Sequence, residues 1–401
     1  MNSKAVIAIA VVAVLVVGGG IGTYFLLKDD GYEASYDGKA FNLISRVNSE
    51  GSGLYVKNDI ATGDGIPVRA SNNVPFFGDG YSLSDANKAA WGGLVFADPG
   101  ASSIQHTQLA TIASDVGLSF EQYRDGTSKN DNTLYYITNI SDAGKVDTNK
   151  ALIDGGILWE PQFQRIIQEQ SATFKTLALT NDVFDGHTCC VIAANHDWLN
   201  ANKDTAVKFL AGYIKAVDYI NKAKANPAGP EYADIKQIAM DTTLGLDEIE
   251  VSAALANITY LYADDEKGSL GELTGDVSDL ASSLDDIGLI TSSKFKSPGN
   301  FAKAFVDDSY IKSAVAGEAK TEGTATIDVA AINGDIHQLA IHVAKAKGYF
   351  DEYGLTVNVN TSSDNGGAIA TLLLSGDVKI GFLGAPPATL NTINGDHILI
   401  K

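Results

Sequence analysis

Two stretches of the chain share one order of hydrophobic and polar positions. The later stretch reads TIDVAAI (326–332), a polar turn NGD, the segment IHQLAIHVAKAKGYF, and LTVNVN (355–360). The earlier one reads GLVFADP (93–99), GASS, IQHTQLATIASDVGL, and LYYIT (134–138). Each holds a strand pattern, then apolar residues three and four apart, then a second strand pattern. Strands that alternate with helices of this length predict parallel sheets, so two such units predict two α/β lobes.

Both units continue in the same way. The later one runs through AIATLLLSGD, which is helix-like, and VKIGFLGA, which is strand-like, to Pro386-Pro387. The earlier one runs through TNKALIDG and GILW to Glu160-Pro161. Residues 204–315 differ, because they are predicted to be mostly helical, with apolar positions three and four apart. They predict amphipathic helices over 204–226, 246–258 and 276–288. We expect these helices to pack against a lobe and to carry no chemistry.

The N-terminus carries a long apolar segment. Met1–Lys4 is short and basic, and Ala5–Leu27 is an uncharged run of 23 residues. About 20 helical residues suffice to cross a bilayer, whereas a secretory signal usually has an apolar run of only about 7–15. We therefore predict that residues 1–30 form a membrane anchor, with a cleaved signal as the alternative. The positive-inside tendency places the rest of the chain on the extracytoplasmic face, behind a short linker over 31–40.

Charge and cysteine content narrow the classes of partner. The chain has 49 acidic and 29 basic residues, and its net charge of −20 disfavours nucleic acids and anionic membrane surfaces. Its two cysteines, Cys189 and Cys190, are adjacent in the apolar segment CCVIAA, which predicts a buried strand. Neighbouring cysteines form only a strained disulfide, and no spacing of ligand residues indicates a metal site.

Seven segments of the chain resemble one family. GDIHQLAIHVAKAKGYFDEYGLTV resembles its first strand-to-helix turn, and LLLSGDVKIGFLGAPPATL its next strand and proline turn. RVNSEGSGLYVK (46–57) is similar to its crossing strand, ADPGASSIQHTQLATIASDVGL to the binding helix of its second lobe, and GGILWEPQ to its tryptophan turn. HTCCVIAANHDWLNAN resembles its return strand and FVDDSYI (305–311) its final segment. The family is that of the periplasmic-type substrate-binding proteins of ABC importers, in the nitrate/sulfonate/taurine (thiamine-pyrimidine-synthase-like) branch.

The resemblance implies an α/β fold of two lobes, type II-like, with parallel or mixed sheets flanked by helices. Together with the apolar run, the predicted fold class adds an N-terminal transmembrane helix. The lobe boundaries follow from the resemblance. Lobe I is expected to comprise residues 41–57, 189–315 and 325–401, and lobe II residues 58–188.

The segments stand in an unusual order. Read as 325–401 followed by 41–315, they give the usual order of the family once. We therefore expect a circular permutant, in which the small and polar residues 316–324 link the old ends. The alternative is a tandem protein whose second copy is incomplete at residue 401.

In open α/β sheets, ligands bind beyond the carboxyl ends of the strands. Four turns should therefore meet between the lobes: 333–338 and 384–387 from lobe I, and 101–107 and 159–161 from lobe II. The candidate ligand-binding residues are Asp335, His337, Gln338, Gly384, Ala385, Pro386, Asn48, Glu50, Ser102, Ser103, Gln105, His106, Trp159 and Glu160.

The chemistry of these turns favours a small anion. Ser102 and Ser103 stand at the start of a predicted helix, where N–H groups and the helix dipole attract negative charge, although a serine there can also merely cap its helix. Asp335 suits a substrate that also carries an amine, or else caps its own helix. Trp159 offers a flat apolar wall, and Glu160 a partner for a cationic group.

The resemblance implies an extracytoplasmic receptor of an ABC importer. It would capture a small anion or zwitterion (sulfonate, taurine, nitrate or similar) and deliver it to the permease subunits. We expect no catalytic residue, cofactor or metal, since no Ser-His-Asp order, glycine-rich phosphate loop or metal pattern is present. The alternatives are an enzyme similar to thiamine-pyrimidine synthases, with His187 and the two cysteines in the cleft, and a surface protein that only binds other proteins.

Overall fold

The computed structural model describes residues 32–60, 91–115, 117–184, 186–242 and 246–401. The predicted membrane anchor lies outside these residues. Within the described part, none of the helices has the length and apolar character needed to cross a membrane.

The strands alternate with helices along most of the chain. The strands are β1 (Ala34–Tyr36), β2 (Phe41–Glu50), β3 (Ser52–Lys57), β4 (Val95–Ala97), β5 (Ser119–Gln122), β6 (Thr133–Ile137), β7 (Gly155–Trp159), β8 (Phe174–Leu179), β9 (Thr188–Asn195), β10 (Ile258–Tyr260), β11 (Ala325–Ile332), β12 (Leu355–Ser363), β13 (Ile380–Gly384) and β14 (Ile398–Ile400). The α-helices are α1 (Ile104–Asp115), α2 (Ala143–Asn149), α3 (Gln162–Glu169), α4 (His196–Ala201), α5 (Lys203–Lys224), α6 (Pro230–Thr242), α7 (Glu248–Ala256), α8 (Gly271–Asp286), α9 (Pro298–Phe305), α10 (Ser309–Val315), α11 (Leu339–Ala346), α12 (Gly366–Ser375) and α13 (Ala385–Asn394).

The first lobe is built on a mixed sheet. Among the described residues its six strands lie in the order β10-β2-β9-β13-β11-β12. The strands of the predicted later unit, β13, β11 and β12, pair in parallel, whereas β9 pairs antiparallel with both β13 and β2. The C-terminal unit therefore completes the sheet that the N-terminal strands begin.

The second lobe repeats this plan. In the described chain its six strands lie in the order β5-β6-β4-β7-β3-β8. Strands β5, β6, β4 and β7 pair in parallel, and β3 pairs antiparallel with β7 and β8. Two mixed α/β sheets flanked by helices are thus present, which confirms the coarse fold class predicted from the sequence.

Packing on both faces of each sheet follows from the alternation of side chains along a strand. In β13, Phe382 packs on Phe209 and Tyr213 of α5, at ring-centroid distances of 6.3 and 5.6 Å. The neighbouring Gly381 faces Ile369 of α12 instead. Helices therefore cover both faces of the first sheet, and β9 between them is buried along its whole length.

Two predicted boundaries need correction. Residues 52–57 were assigned to lobe I, but β3 pairs with β7 and β8 in the second sheet, so the chain crosses between the lobes at Gly51. The reason is a break in the backbone, since Glu50 has φ +66° and Gly51 φ +88°, and the pattern of apolar residues does not reveal it. Residues 31–40, predicted as a linker, contain β1, which pairs with β14 near the C-terminus.

Residues 316–324 connect α10 to β11, and Lys208 of α5 donates hydrogen bonds to the carbonyl oxygens of Glu322 and Gly323. The permuted order of the segments stays a prediction.

Candidate functional site

A cavity of about 380 Å³ lies between the two lobes. Its walls come from the start of α1 and the end of β7 in the second lobe, and from the turn before α11, the start of α12 and the end of β13 in the first. All four turns predicted from the sequence reach this cavity. The predicted residues that line it are Ser102, Ser103, Gln105, Trp159, Asp335, His337 and Gly384.

The second-lobe wall is the first turn of α1. Ser103 Oγ accepts a hydrogen bond from the N–H of His106 at 3.1 Å, so this serine caps its own helix and also lines the cavity. Gln105 Nε2 donates to Ser52 Oγ at 2.9 Å, which orients its side chain. Gly100 adopts φ +151°, a conformation that side chains rarely allow, where the chain turns from β4 into α1. The positive end of this helix dipole therefore lies at the cavity wall.

The first-lobe wall centres on His337, whose side chain is buried. Its Nδ1 lies 2.6 Å from Asp335 Oδ1, and its Nε2 lies 2.8 Å from the carbonyl oxygen of Gly51. Both partners are acceptors, and a neutral imidazole can donate from only one nitrogen. The geometry therefore requires the doubly protonated, positively charged ring.

The pKa of His337 agrees with this geometry. Burial lowers the pKa, but the charge of the Asp335 carboxylate, with smaller help from Cys189 and the Gly51 carbonyl, raises it to about 9. His337 is thus a fixed positive charge at the cavity wall. Its ring nitrogens are occupied, so its contribution to a ligand is charge rather than a donated hydrogen bond.

The start of α12 is a part of the wall that sequence reasoning missed. Asn365 caps this helix by accepting a hydrogen bond from the N–H of Ala368 at 3.0 Å, and Gly366 and Gly367 follow at the cavity surface. A Cβ on Gly366 would lie 2.6 Å from Pro387 Cγ, so only glycine fits there. The sequence DNGG after an alternating strand was the available signal, since Asn and Gly mark helix starts.

Three further lining groups were not predicted as ligand contacts. Asn139 follows β6 with φ +66°, and the exposed Asp364 precedes the α12 cap. Cys189 and Cys190 line the cavity as well, with their sulfur atoms 3.8 Å apart. The prediction that both cysteines lie in a buried strand is right, but it omitted that this strand borders the cavity. The contact with the Cys190 thiol and the charge of His337 lower the pKa of the Cys189 thiol, and burial opposes them by raising it.

Glu160 is fully buried behind the cavity wall and is not among its lining residues. Its carboxylate accepts hydrogen bonds from Asn257 Nδ2 at 2.9 Å and from Gln164 Nε2 at 3.1 Å. Burial raises the pKa of Glu160, and the two amide donors oppose that rise. Because Asn257 belongs to the first lobe, Glu160 joins the two lobes rather than facing a ligand.

His106 also points away from the cavity. Its Nδ1 lies 3.0 Å from Asp98 Oδ2, and its ring packs against Phe120 and Tyr136. The helical turn that places Gln105 at the cavity directs the next residue into the lobe. His106 is therefore a structural residue of the second lobe.

The remaining predicted residues do not line this cavity. Gln338 is buried and bonds Asp335 and the Phe382 carbonyl, and Asn48 bonds the backbone of its own strand. Ala385 and Pro386 are buried in the first turn of α13, where Pro387 reaches the cavity instead. Glu50 accepts from Thr259 on the neighbouring strand. In each case the spacing located the turn but not the direction of the side chain.

The enzyme alternative needed His187 in the same cleft as the cysteines. His187 is not among the residues that line this cavity, and its Nδ1 lies 2.7 Å from the Phe184 carbonyl oxygen. The described residues hold no cluster of three or more His, Cys, Asp or Glu that could bind a metal ion. Of the residues that this alternative named, the cavity therefore holds the two cysteines but not His187, and the histidine that lines it is His337.

Residues 336–399 match the family model described as NMT1/THI5 like. This match confirms, over those residues, the resemblance to the thiamine-pyrimidine-synthase-like branch of substrate-binding proteins. It covers the His337 turn, the start of α12 and the end of β13, which form the first-lobe wall of the cavity. No curated protein matches the chain.

Two solved structures are similar to this chain. One is the ligand-binding component of an ABC-type import system from Staphylococcus aureus with zinc bound, at 15% identity and a TM-score of 0.42, covering 68% of this chain and 74% of that one. The other is the periplasmic nitrate-binding protein NrtA from Synechocystis PCC 6803, at 11% identity and a TM-score of 0.45, covering 78% and 76%. At values this low, neither likeness carries an argument about the ligand.

Proposed function

We propose that this protein is the extracytoplasmic receptor of an ABC importer and captures a small anion or zwitterion between its lobes. The observation that carries the proposal is the meeting of two helix N-termini at one cavity. The start of α1 belongs to the second lobe and the start of α12 to the first. An anion held by both would join the lobes through backbone N–H groups and two helix dipoles.

The residues at these helix starts suit close approach. Ser102 and Ser103 on one side and Gly366 and Gly367 on the other leave the backbone accessible, and the serines add hydroxyl donors. His337 supplies a positive charge between them. The cavity of about 380 Å³ falls in the usual range for small-molecule sites, about 300–1,000 Å³.

One carboxylate favours a zwitterion over a simple anion. Asp335 is already bonded to His337, but Asp364 lies exposed at the cavity and can receive an ammonium group. Trp159 supplies the apolar wall against which a short carbon chain would lie. Taurine and related aminosulfonates combine these features, and among the predicted ligands they match this wall best.

Delivery of the ligand to the permease would depend on closure of the two lobes. Closure over the ligand would turn the lobes about the two crossovers, near Gly51 and Gly186, and present a closed form to the permease. The predicted N-terminal anchor would hold the receptor at the extracytoplasmic face of the membrane. On this proposal the protein performs no chemistry and needs no cofactor.

Titration calorimetry of the full chain against taurine, ethanesulfonate, sulfate and nitrate tests the proposal. We expect saturable 1:1 binding of at least one of them and, at a free ligand concentration of about 100 times the Kd, about 3 kcal/mol of added stability.

Asp364→Asn should weaken the binding of taurine about tenfold and leave the binding of ethanesulfonate unchanged, because only taurine carries the ammonium group. Asp286→Asn, the same change at a distant exposed site on α8, is the control.

The absence of binding across this panel at millimolar concentration would contradict the anion assignment. Equal losses for taurine and ethanesulfonate in Asp364→Asn would contradict the zwitterion part alone.

A further inference from the structure

A second cavity, of about 350 Å³, lies further along α1 and also between the lobes. The second lobe contributes Thr107, Gln108 and Thr111 of α1, and the crossover segment contributes Phe184, His187 and Thr188. The first lobe contributes Ala385 and one face of α8. Ile104 borders both this cavity and the candidate functional site. None of these wall residues was used in the proposed function.

Gln108 is the feature that marks this cavity as a site. Its side chain lines the cavity and the residue is only 4% exposed, yet neither its amide oxygen nor its amide nitrogen has a hydrogen-bond partner among the described residues. Leaving a buried polar group unpaired costs about 1–3 kcal/mol. A ligand that pairs with this amide would recover that cost.

His187 adds an acceptor to the same wall. Its Nδ1 donates to the Phe184 carbonyl oxygen at 2.7 Å, and its Nε2 lacks a partner within the described part of the chain. Burial lowers the pKa of His187 to about 4, with smaller opposing contributions from the Phe184 carbonyl and Asp276. The ring is therefore neutral near pH 7, and its Nε2 carries a lone pair rather than a proton.

The opposite wall is acidic. Asp276 and Asp279 lie three residues apart on α8, so both face the cavity from one side of the helix. Asp276 accepts from Thr188 Oγ1 at 2.5 Å and lies 3.9 Å from Arg46 Nη2. Asp279 is exposed and offers its carboxylate to the cavity. Together with His187 Nε2 and the Gln108 amide oxygen, these carboxylates offer hydrogen-bond acceptors to the cavity.

The rest of the lining is apolar. Ile104, Phe184, Leu280 and Ala385 provide carbon surface beside the polar groups. We propose that this cavity is a second binding site, which takes a small organic cation with N–H donors, an ammonium or amidinium group, on a compact apolar body. The cationic group bonds Gln108 and the carboxylates, and the apolar body lies against Ile104, Phe184 and Leu280.

The position of the site couples it to the candidate functional site. The first turn of α1 lines one cavity and its next turns line the other. A cation that bridges Gln108 of the second lobe and Asp279 of the first favours the same closed arrangement as an anion at the helix starts. Each ligand should therefore strengthen the binding of the other, by the same factor in both directions.

Titration calorimetry of the full chain with benzamidinium chloride tests this site. We expect 1:1 binding that Gln108→Leu and Asp279→Asn each weaken by about tenfold, the value of one hydrogen bond to a charged group. Benzyltrimethylammonium, which has the charge and the ring but no N–H donor, should bind at least about tenfold more weakly for the same reason. Asp286→Asn removes an equal charge elsewhere on α8 and should leave binding unchanged.

Two further measurements separate this site from the candidate functional site and from a failure to fold. Gln108→Leu should melt no lower than the wild-type protein, because it removes a buried unpaired amide. Asp364→Asn should not affect benzamidinium. Benzamidinium binding that survives both Gln108→Leu and Asp279→Asn, or that is lost in Asp364→Asn, overturns the inference, as does a complete lack of binding. None of these results bears on whether an anion binds at the helix starts.

Discussion

At the scale of single residues, two hydrogen-bond acceptors keep His337 positively charged, because one lies at each of its ring nitrogens. Asp335 lies in the same turn, but Gly51 lies 286 positions earlier in the chain, at the crossover between the lobes. Gly51 O also accepts a hydrogen bond from the N–H of Glu160, so this one carbonyl oxygen bonds to His337 of the first lobe and to Glu160 of the second. His337 therefore contributes to the candidate site and also holds the crossover in place.

This arrangement predicts a pH-dependent contribution to stability. The folded pKa of His337 is about 9, above the ordinary value of 6.5, so its contribution is complete below about pH 6.5 and disappears as the pH rises through 9. The shift corresponds to about 3 kcal/mol. Urea unfolding of the wild type and His337→Gln should give the largest difference in unfolding free energy near pH 6 and a much smaller one near about pH 9.5.

His397→Gln is the matched control, because His397 pairs with Asp37 near the surface and such pairs contribute at most about 1 kcal/mol. A stability difference for His337→Gln that stays constant from pH 6 to 9.5, or grows with pH, would mean that the ring is not the charged species described above.

The sequence located several site residues but could not orient them. Ser102, Trp159 and His337 were found because they follow strand ends, and chain order determines where strands end. Glu160 and His106 stand in the same turns but point into the lobes, since burial and partners distant in sequence decide their directions. Asn257, the partner of Glu160, is 97 positions away, and no local pattern identifies such a contact.

At the scale of helices and strands, the decisive feature is the break between β2 and β3. Gly51 sits at this break with φ +88°, and a Cβ there would lie 2.2 Å from His337 Nε2 and 2.9 Å from Ile258 Cγ1. Glycine is required both by the backbone conformation and by the space. The segment RVNSEGSGLYVK was predicted as one crossing strand from its resemblance to the family, and its polar residues 48–53 carry no apolar pattern that locates the break.

Gly51→Ala should therefore destabilise the fold by about 2–5 kcal/mol, through strain at positive φ and displacement of His337. Gly275→Ala is the control, since Gly275 lies within α8 with nothing within 4 Å of its added Cβ, and it should stabilise by up to about 1 kcal/mol. Chemical denaturation of both variants measures the two effects. A Gly51→Ala protein as stable as the wild type would show that the crossover tolerates another geometry.

Most other elements followed from periodicity. The strand predicted over 326–332 is β11, the strand over 134–138 is β6, and the helix over 204–226 is α5. Their ends shift by a residue or two. Two predicted helices depart further. TNKALIDG was predicted as a helix, but α2 spans Ala143–Asn149 and most of that segment follows it. After Gly334, a 3₁₀ turn over Ile336–Gln338 precedes α11, because Asp335 caps the turn and directs His337 towards Gly51.

At the scale of the whole molecule, each crossover is held by a buried cation. His337 bonds Gly51 O at the first crossover, and Arg46 Nη2 bonds Gly186 O at 3.0 Å at the second, while Arg46 also pairs with Asp264 at 2.9 Å. The chain as a whole carries a net charge of −20, which repels anions. Affinity for an anion must therefore come from the local field of two helix starts and His337.

The most direct test is a crystal structure of the protein with 2-bromoethanesulfonate, whose bromine gives an anomalous signal. The account predicts the sulfonate between the start of α1 at Ser102–Ser103 and the start of α12 at Gly366–Gly367, within hydrogen-bonding distance of backbone N–H groups from both lobes. A sulfonate bound by one lobe alone, or elsewhere on the molecule while this cavity holds none, would contradict it.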